Sequence, residues 1–126
     1  MSNANSTNAR VQIFSLAGID GKSMNSTLIF TPTTVFTPLQ ISFELTSVSG
    51  FVSVASASIG TNSASYNNIL PISVLTGMSS QNNVLSFGLT ALISSIAANT
   101  GIYVNITAGA AATTYTLKCS ILGFYD

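Results

Sequence analysis

Side chains that could act as acids, bases or nucleophiles are scarce in this sequence. General acid–base catalysis needs two titratable groups in one pocket, and the chain has no histidine. Its only side-chain carboxyl groups are those of Asp20, Glu44 and Asp126, which fall in a predicted turn, on the polar face of a predicted strand and at the C-terminus. A serine nucleophile needs an adjacent base, and Lys22 followed by Ser23 has the composition of a turn. The sequence therefore predicts a protein that is not an enzyme.

The sequence offers no set of metal ligands either. Zinc sites are built from cysteine and histidine, and this chain has one cysteine and no histidine. Calcium would need a loop with acidic ligands at regular spacing, which the surroundings of Asp20 lack. We therefore expect no metal and no other cofactor. Cys119 lies on the apolar phase of the last predicted strand and is expected to be a buried, inert thiol.

Charged residues are far fewer than in an ordinary soluble domain. They make up 5% of the chain, against about 25% in a typical domain, and none occurs between Glu44 and Lys118. Such a surface must be covered by hydroxyl and amide groups or be buried against other subunits, and a net charge near zero promotes association. We therefore predict a component of an assembly, in which Glu44 faces solvent or is an interface partner for Lys118 or Arg10.

The same composition argues against two classes of partner. Binding to nucleic acid requires a cluster of lysine and arginine that neutralises phosphates, and the chain has only three of these residues. A membrane-spanning helix needs about 20 predominantly apolar residues, but the best candidate, Val84 to Ala98, is shorter and is interrupted by serine, glycine and threonine. We expect no nucleic acid and no membrane as partner. Residues 1–8 lack the features of a secretory signal, so the protein is expected to be made in a cytoplasm and to leave it only within a larger particle.

Period-two alternation of apolar residues predicts β-strands along most of the chain. The clearest case is Leu39 to Ile59, which is expected to form a long antiparallel hairpin around a turn at Ser47 to Gly50. About eight strands, with turn signals at roughly ten-residue spacing, indicate an all-β, single-domain antiparallel β-sandwich of the jelly-roll type. Residues 11–126 are expected to form this domain, and residues 1–10 a flexible or partner-contacting arm. The other predicted strands are Val11 to Leu16, Leu28 to Phe30, Ile69 to Leu75, Val84 to Ala91, Ile102 to Thr107 and Tyr115 to Ile121.

The predicted core consists of apolar residues that share one phase within each strand. They are Leu39, Ile41, Phe43, Leu45, Val52, Val54, Leu85, Phe87, Leu89, Leu117 and Ile121.

A small repeat, Phe30-Thr31-Pro32 and Phe36-Thr37-Pro38, is the first candidate contact region. Each proline fixes φ and removes a backbone donor, so the segment Phe30 to Pro38 is expected to be extended and to lie at a sheet edge or subunit contact. Together with the arm it is predicted to touch neighbouring subunits. The candidate contact residues are Arg10, Phe30, Pro32, Phe36 and Pro38.

The polar loop Gly60 to Asn68 is the second candidate contact region. Aromatic faces stack on sugar rings and amides bind sugar hydroxyls, so Tyr66, Asn67 and Asn68 are candidate glycan contacts. An ordinary turn with a packed Tyr66 explains the same residues and is the favoured interpretation.

Several stretches resemble small β-sandwich structural proteins of tailed bacteriophages. The resemblance covers residues 35–126. It lies in the general composition of these stretches and their order along the chain rather than in a diagnostic motif. The N-terminal arm matches no pattern of that group. The stretches are Ser58-Ile59-Gly60-Thr61-Asn62, Tyr66-Asn67-Asn68-Ile69, Ile102-Tyr103-Val104-Asn105-Ile106-Thr107, Tyr115-Thr116-Leu117 and Leu122-Gly123-Phe124-Tyr125.

This resemblance implies a virion protein made in the cytoplasm of a host bacterium. In that group, capsid decoration or cement proteins sit on the shell as trimers or dimers, and other members form receptor-binding tips of fibres. The first role fits better, because the chain is a single domain, starts at its own methionine and lacks a long trimeric shaft. It implies contacts with further copies of the chain, as a homotrimer or dimer, and with the major capsid protein. The alternative is a receptor- or glycan-binding tip protein of a phage tail fibre.

Overall fold

Eight antiparallel strands build the described part of the chain. The computed structural model describes residues 11–89 and 95–125, and none of these residues lies in a helix. The strands form two four-stranded sheets, with the order β1-β8-β3-β6 in sheet A and β2-β7-β4-β5 in sheet B. This arrangement confirms the predicted all-β antiparallel sandwich. The strands are β1 (Val11–Asp20), β2 (Asn25–Phe30), β3 (Phe36–Ser49), β4 (Ser56–Gly60), β5 (Leu70–Val74), β6 (Val84–Gly88), β7 (Ile102–Ala108) and β8 (Thr114–Tyr125).

The strand orders are those of a jelly roll. The first half of the chain pairs with the second half in reverse order, because β1 pairs with β8, β2 with β7, β3 with β6 and β4 with β5. This order of pairing results when the chain folds back on itself between β4 and β5, so that its two halves run side by side as an antiparallel pair. The pair then rolls up into two Greek keys. Phe14 of β1 stacks on Phe30 of β2, so these two edge strands lie on one side of the sandwich. The other two edge strands, β5 and β6, therefore lie on the opposite side.

The predicted hairpin over Leu39 to Ile59 is wrong. Its two halves are β3 and β4, which lie in different sheets. β3 instead continues to Ser49, where it is still paired with Thr114 of β8, and the chain then crosses to sheet B. Gly50 begins this crossing at φ 58°, and a Cβ there would also collide with the side chain of Thr113. Pairing with β8 and β6, far along the sequence, outweighs pairing with the next segment.

The core between the two sheets contains most of the predicted residues. Ile41, Phe43, Leu45, Leu117 and Ile121 are fully buried. Val54 is half-buried. Sheet B supplies a matching inner face of Ala57, Ile59, Ile102, Val104 and Ile106, and Leu85, Phe87 and Leu89 pack against the core from partly buried positions.

Two predicted core residues are exposed. The pairing of β3 with β8 has a bulge between Pro38 and Gln40, and the extra residue, Leu39, is displaced outward to 41% exposure. The bulge also accommodates Pro38, which cannot donate to a regular ladder. Val52 is 77% exposed, because it lies in the segment that crosses between the sheets. There its backbone N–H donates to the carbonyl oxygen of Ala111 at 2.7 Å.

Candidate interaction surfaces

The charged side chains in the described residues do not converge. Asp20 and Lys22 form a turn, in which the Asp20 carboxylate accepts from the Lys22 backbone N–H at 2.9 Å. The Lys22 ammonium donates to the carbonyl oxygen of Thr113 at 2.7 Å. Glu44 and Lys118 are cross-strand partners on β3 and β8 of the same chain, and a contact of Glu44 across an interface stays a prediction. Within residues 11–89 and 95–125, no group of three or more His, Cys, Asp or Glu side chains is placed to hold a metal ion.

The single cysteine is part of the core. Cys119 is fully buried on the inner face of β8, as the sequence predicted. Burial in this apolar setting raises the pKa of its thiol to about 12. Because the thiolate is the reactive form, Cys119 stays protonated at neutral pH and contributes packing rather than chemistry.

The Phe-Thr-Pro repeat runs through the interior of the protein. Phe36 is fully buried, Pro32 and Pro38 are buried, and Phe30 is half-buried. The exposed residues between the two phenylalanines are Thr31 and residues 33–35. These residues are the ones in this segment that a neighbour could reach most easily, whereas Arg10 lies outside the described residues.

An aromatic cluster explains why the repeat is buried. The rings of Phe14 and Phe30 stack with centroids 3.8 Å apart, which joins sheet A to sheet B. Phe36 packs edge-on against both rings, with centroids at 5.8 and 5.1 Å. Tyr125 adds further edge contacts to Phe14 and Phe36. Edge-to-face packing of this kind adds to the free energy gained from burial, so the cluster fastens β1, β2, β3 and β8 together.

The loop of residues 61–68 is ordered by its own amide groups. Asn62 and Asn67 exchange hydrogen bonds, because the Asn62 Oδ1 accepts from the Asn67 backbone N–H and its Nδ2 donates to the Asn67 Oδ1, each at 2.9 Å. Asn68 binds back to Thr61 through both atoms of its amide, at 2.8 and 2.9 Å. The Asn67 Oδ1 and both polar atoms of the Asn68 amide therefore already have partners within the loop.

This loop also covers part of the outer face of sheet B. Tyr66 stacks on Tyr103 of β7 with ring centroids 4.6 Å apart, and the Ser65 carbonyl oxygen accepts from Ser58 and Asn105 at 3.3 Å. Gly60 makes this closeness feasible, since a Cβ there would lie 2.6 Å from the backbone nitrogen of Asn67. Tyr66 is thus a packed, half-buried residue, as the favoured interpretation expected.

The outer face of sheet A carries a row of serine hydroxyl groups and is uncharged over much of its area. One serine from each strand lines up across it, with Ser15 bonded to Ser120 at 2.9 Å and Ser42 bonded to Ser86 at 3.0 Å. Ser42 and Ser120 are cross-strand partners, so the row is continuous. Next to the row, Ile13 pairs with Leu122 and Val11 with Phe124.

Several exposed apolar side chains lie on the outer faces of the edge strands. On sheet A they are Val11 and Ile13 of β1, which share the phase of Ser15, and Val84 of β6, which is opposite Glu44. On sheet B they are Leu28 of β2, opposite Tyr103, and Ile72 and Val74 of β5. Each of these side chains is at least 42% exposed, and Ile13 and Val74 reach 64% and 56%. Singly exposed apolar residues are normal on proteins, but groups of them mark interaction sites.

Sequence reasoning did not single out these exposed apolar residues. In β1 both phases are apolar, with Val11 and Ile13 on one and Phe14 and Leu16 on the other. Periodicity detects such a strand but does not tell which phase is inside. The available signal was indirect, because the lack of charge in these strands predicted a surface that associates.

Chains of three bacteriophage capsids have a fold similar to that of this chain. A capsid chain of the Helicobacter pylori bacteriophage KHP30 superimposes with a TM-score of 0.60 at 10% identity, covering 91% of this chain and 87% of that one. A chain of the cyanophage Pam1 capsid gives 0.53 at 12% identity, with 93% and 84% covered. A chain of the Ralstonia phage GP4 capsid gives 0.60 at 13% identity, with 92% and 83% covered. No protein-family model and no curated protein matches the sequence. At such low identity the likeness shows a common fold.

Proposed function

We propose that this chain is a non-enzymatic structural protein of a bacteriophage virion and that it acts as a capsid decoration, or cement, protein. In this role it binds the assembled shell, contacts the major capsid protein and further copies of itself, and holds neighbouring subunits together. The observation that carries the proposal is the exterior of the sandwich, where apolar side chains are exposed on both sheets and charged residues make up only 5% of the chain.

The fold is compatible with this role. Chains of three phage capsids have a similar fold over more than nine-tenths of this chain. A jelly roll can serve many functions, so the argument for this one depends on the surface. In the part of the chain that the structure describes, the charged groups are dispersed and the thiol is buried, whereas apolar side chains such as Ile13, Ile72 and Val74 are exposed.

An uncharged contact surface suits a protein that holds a shell together. Ion pairs at an exposed interface weaken when salt screens them, whereas contacts between apolar and hydroxyl-bearing surfaces are much less sensitive to salt. Interfaces that are depleted in charge at their centre are typical of stable association. The chain would therefore attach through many weak, neutral contacts that persist across ionic conditions.

The test is to locate the chain in particles of the phage that encodes it. We expect mass spectrometry and electron cryomicroscopy of purified virions to find it in many copies on the capsid. Purified protein should also rebind to shells from which it has been stripped. Rebinding at 1 M salt should match rebinding at 0.1 M, although the Debye length falls from about 10 Å to about 3 Å.

Two results would contradict the assignment. Absence of the chain from purified virions would overturn a structural role altogether. Density for the chain only at the ends of tail fibres would overturn the decoration role and support the alternative, a receptor- or glycan-binding tip.

A further inference from the structure

The outer face of sheet A has a defined order of side chains across its four strands. The strand registers align these side chains in rows that run from one edge of the sheet to the other. One row is apolar at β1 and β8 and ends in glycine, the next consists of serines, and the third contains the two charges. In the strand order β1, β8, β3, β6, the first two rows are Ile13-Leu122-Gln40-Gly88 and Ser15-Ser120-Ser42-Ser86, and the third is Lys118-Glu44-Val84 on β8, β3 and β6.

The two charges in these rows make the face complementary to itself. Glu44 and Lys118 are half-buried neighbours on the two central strands, β3 and β8. A two-fold axis parallel to the strands, between β8 and β3, places β8 of one copy over β3 of the other and keeps every row over its own counterpart. Lys118 of each copy then faces the partner's Glu44, and the four charges alternate in sign. A two-fold axis along the rows would instead place both charges over the apolar row, where their desolvation costs free energy.

The other two rows also fit under this rotation. Ser120 comes over the partner's Ser42, and a hydroxyl both donates and accepts, so serine facing serine can form hydrogen bonds. At the edge of the sheet, Ile13 is 64% exposed, and the rotation brings it toward the partner's Gly88, above which there is open space. The strands of the two copies stay nearly aligned, which is a common way for sheets to pack face to face.

From this order of side chains we infer that two copies of the chain form a two-fold dimer through the outer faces of their sheets A. The inference deepens the proposed function and rests on it for its biological setting, since it names the surface through which copies meet. An uncharged partner on this face would leave Glu44 and Lys118 opposite groups that cannot compensate the loss of water. A second copy supplies the opposite charge at both places, and two-fold dimers are the commonest closed assemblies.

Light scattering on charge variants of the purified full chain, over a range of concentrations, tests this contact. In a dimer of Glu44→Lys all four central charges are positive, and in a dimer of Lys118→Glu all four are negative. Each single variant should therefore have a dissociation constant raised about a hundredfold, because like charges face each other across the contact. Ser63→Lys adds a charge in the exposed loop and is the control, which should dimerise as the wild type does.

Mixing the two single variants gives the decisive result. The two lysines of Glu44→Lys then face the two glutamates of Lys118→Glu, so an equimolar mixture should form a heterodimer with nearly the wild-type dissociation constant. The double variant, in which both substitutions exchange the charges within one chain, should dimerise by itself for the same reason. Recovery of the dimer in the mixture also shows that both single variants are folded.

Three outcomes would overturn the inference. They are a wild type that remains monomeric at all concentrations, single variants that dimerise as tightly as the wild type, and a mixture that associates no better than the single variants. The virion test stays separate, because a chain that forms this dimer yet is absent from particles refutes only the proposed function. A chain found on shells only as isolated monomers refutes only this inference.

Discussion

Replacing Phe36 by alanine is the most informative test of how the Phe-Thr-Pro repeat is used. The sequence suggested that this residue contacts a neighbouring subunit, whereas the structure surrounds it with the chain's own aromatic rings. The two descriptions predict different effects on the isolated protein. Loss of a core ring lowers the free energy of unfolding, while loss of a contact residue weakens attachment and leaves the monomer's stability unchanged.

The size of the effect follows from the surroundings of the ring. Truncating a buried phenylalanine to alanine costs about 3–5 kcal/mol. Phe36 is 0% exposed and has edge contacts with Phe14, Phe30 and Tyr125 at centroid distances of 5.8, 5.1 and 5.6 Å. Aromatic pairs add about 0.5–1.5 kcal/mol beyond burial, so we expect a loss near the upper end, about 4–5 kcal/mol. For a chain of this length that corresponds to a melting temperature lower by about 15 °C.

Urea denaturation followed by circular dichroism measures this loss, at a protein concentration low enough to keep every variant monomeric. The matched control is Val35→Ala at the neighbouring position, which is 36% exposed and should change the free energy of unfolding by less than about 1 kcal/mol. The reasoning is refuted if Phe36→Ala unfolds as the wild type does but no longer binds to shells. That result would return Phe36 to the role of a subunit contact.

The remaining predictions concern the loop, the buried thiol and the arm. Gly60→Ala should lower the free energy of unfolding by about 2 kcal/mol, because the added methyl group meets the loop backbone. The control Gly88→Ala has open space around its Cβ and should lower the free energy of unfolding by less than about 1 kcal/mol, as surface substitutions usually do. Equal urea midpoints for the two variants would contradict the packing described for this loop. Burial raises the pKa of Cys119, so its contribution to the free energy of unfolding should be complete below the thiol's ordinary pKa of 9.0 and be lost as pH rises toward about 12. Cys119→Ala should remove this part of the pH dependence of the free energy of unfolding. A variant with the same pH dependence as the wild type would contradict the prediction. Deleting residues 1–9 should leave the thermal transition nearly unchanged and weaken attachment to shells, so a collapsed transition or undiminished attachment counts against the arm as a contact.

Strands were largely predictable from the sequence because their signal is local. In β3, β7 and β8, apolar residues alternate with polar ones, and each side of the strand meets a uniform environment. The same signal placed Cys119 in the core and gave the jelly roll through the number and spacing of the strands. The scarcity of charge is likewise a property of the sequence alone, and it predicted a surface made for association.

The glycan-contact residues show where local reasoning had to leave two interpretations open. Tyr66 and the neighbouring asparagines carry groups that could bind a sugar or complete a turn. The choice between these uses depends on what lies opposite, and here that is Tyr103 on a strand about forty positions later in the chain. Glycan binding by this loop stays a prediction, which a binding assay with sugars would test.

Strand pairing and the direction of ambiguous side chains were decided only by the tertiary structure. β3 has an apolar phase that suits many partners, and it pairs with β8 and β6 because rolling the whole chain completes both sheets at once. The bulge that turns Leu39 outward exists only in that pairing. Phe36 is interior because Phe14, Phe30 and Tyr125 converge on it from three other strands. Sequence periodicity fixes how a strand alternates, but the identity of its inner face depends on contacts between residues that are distant along the chain.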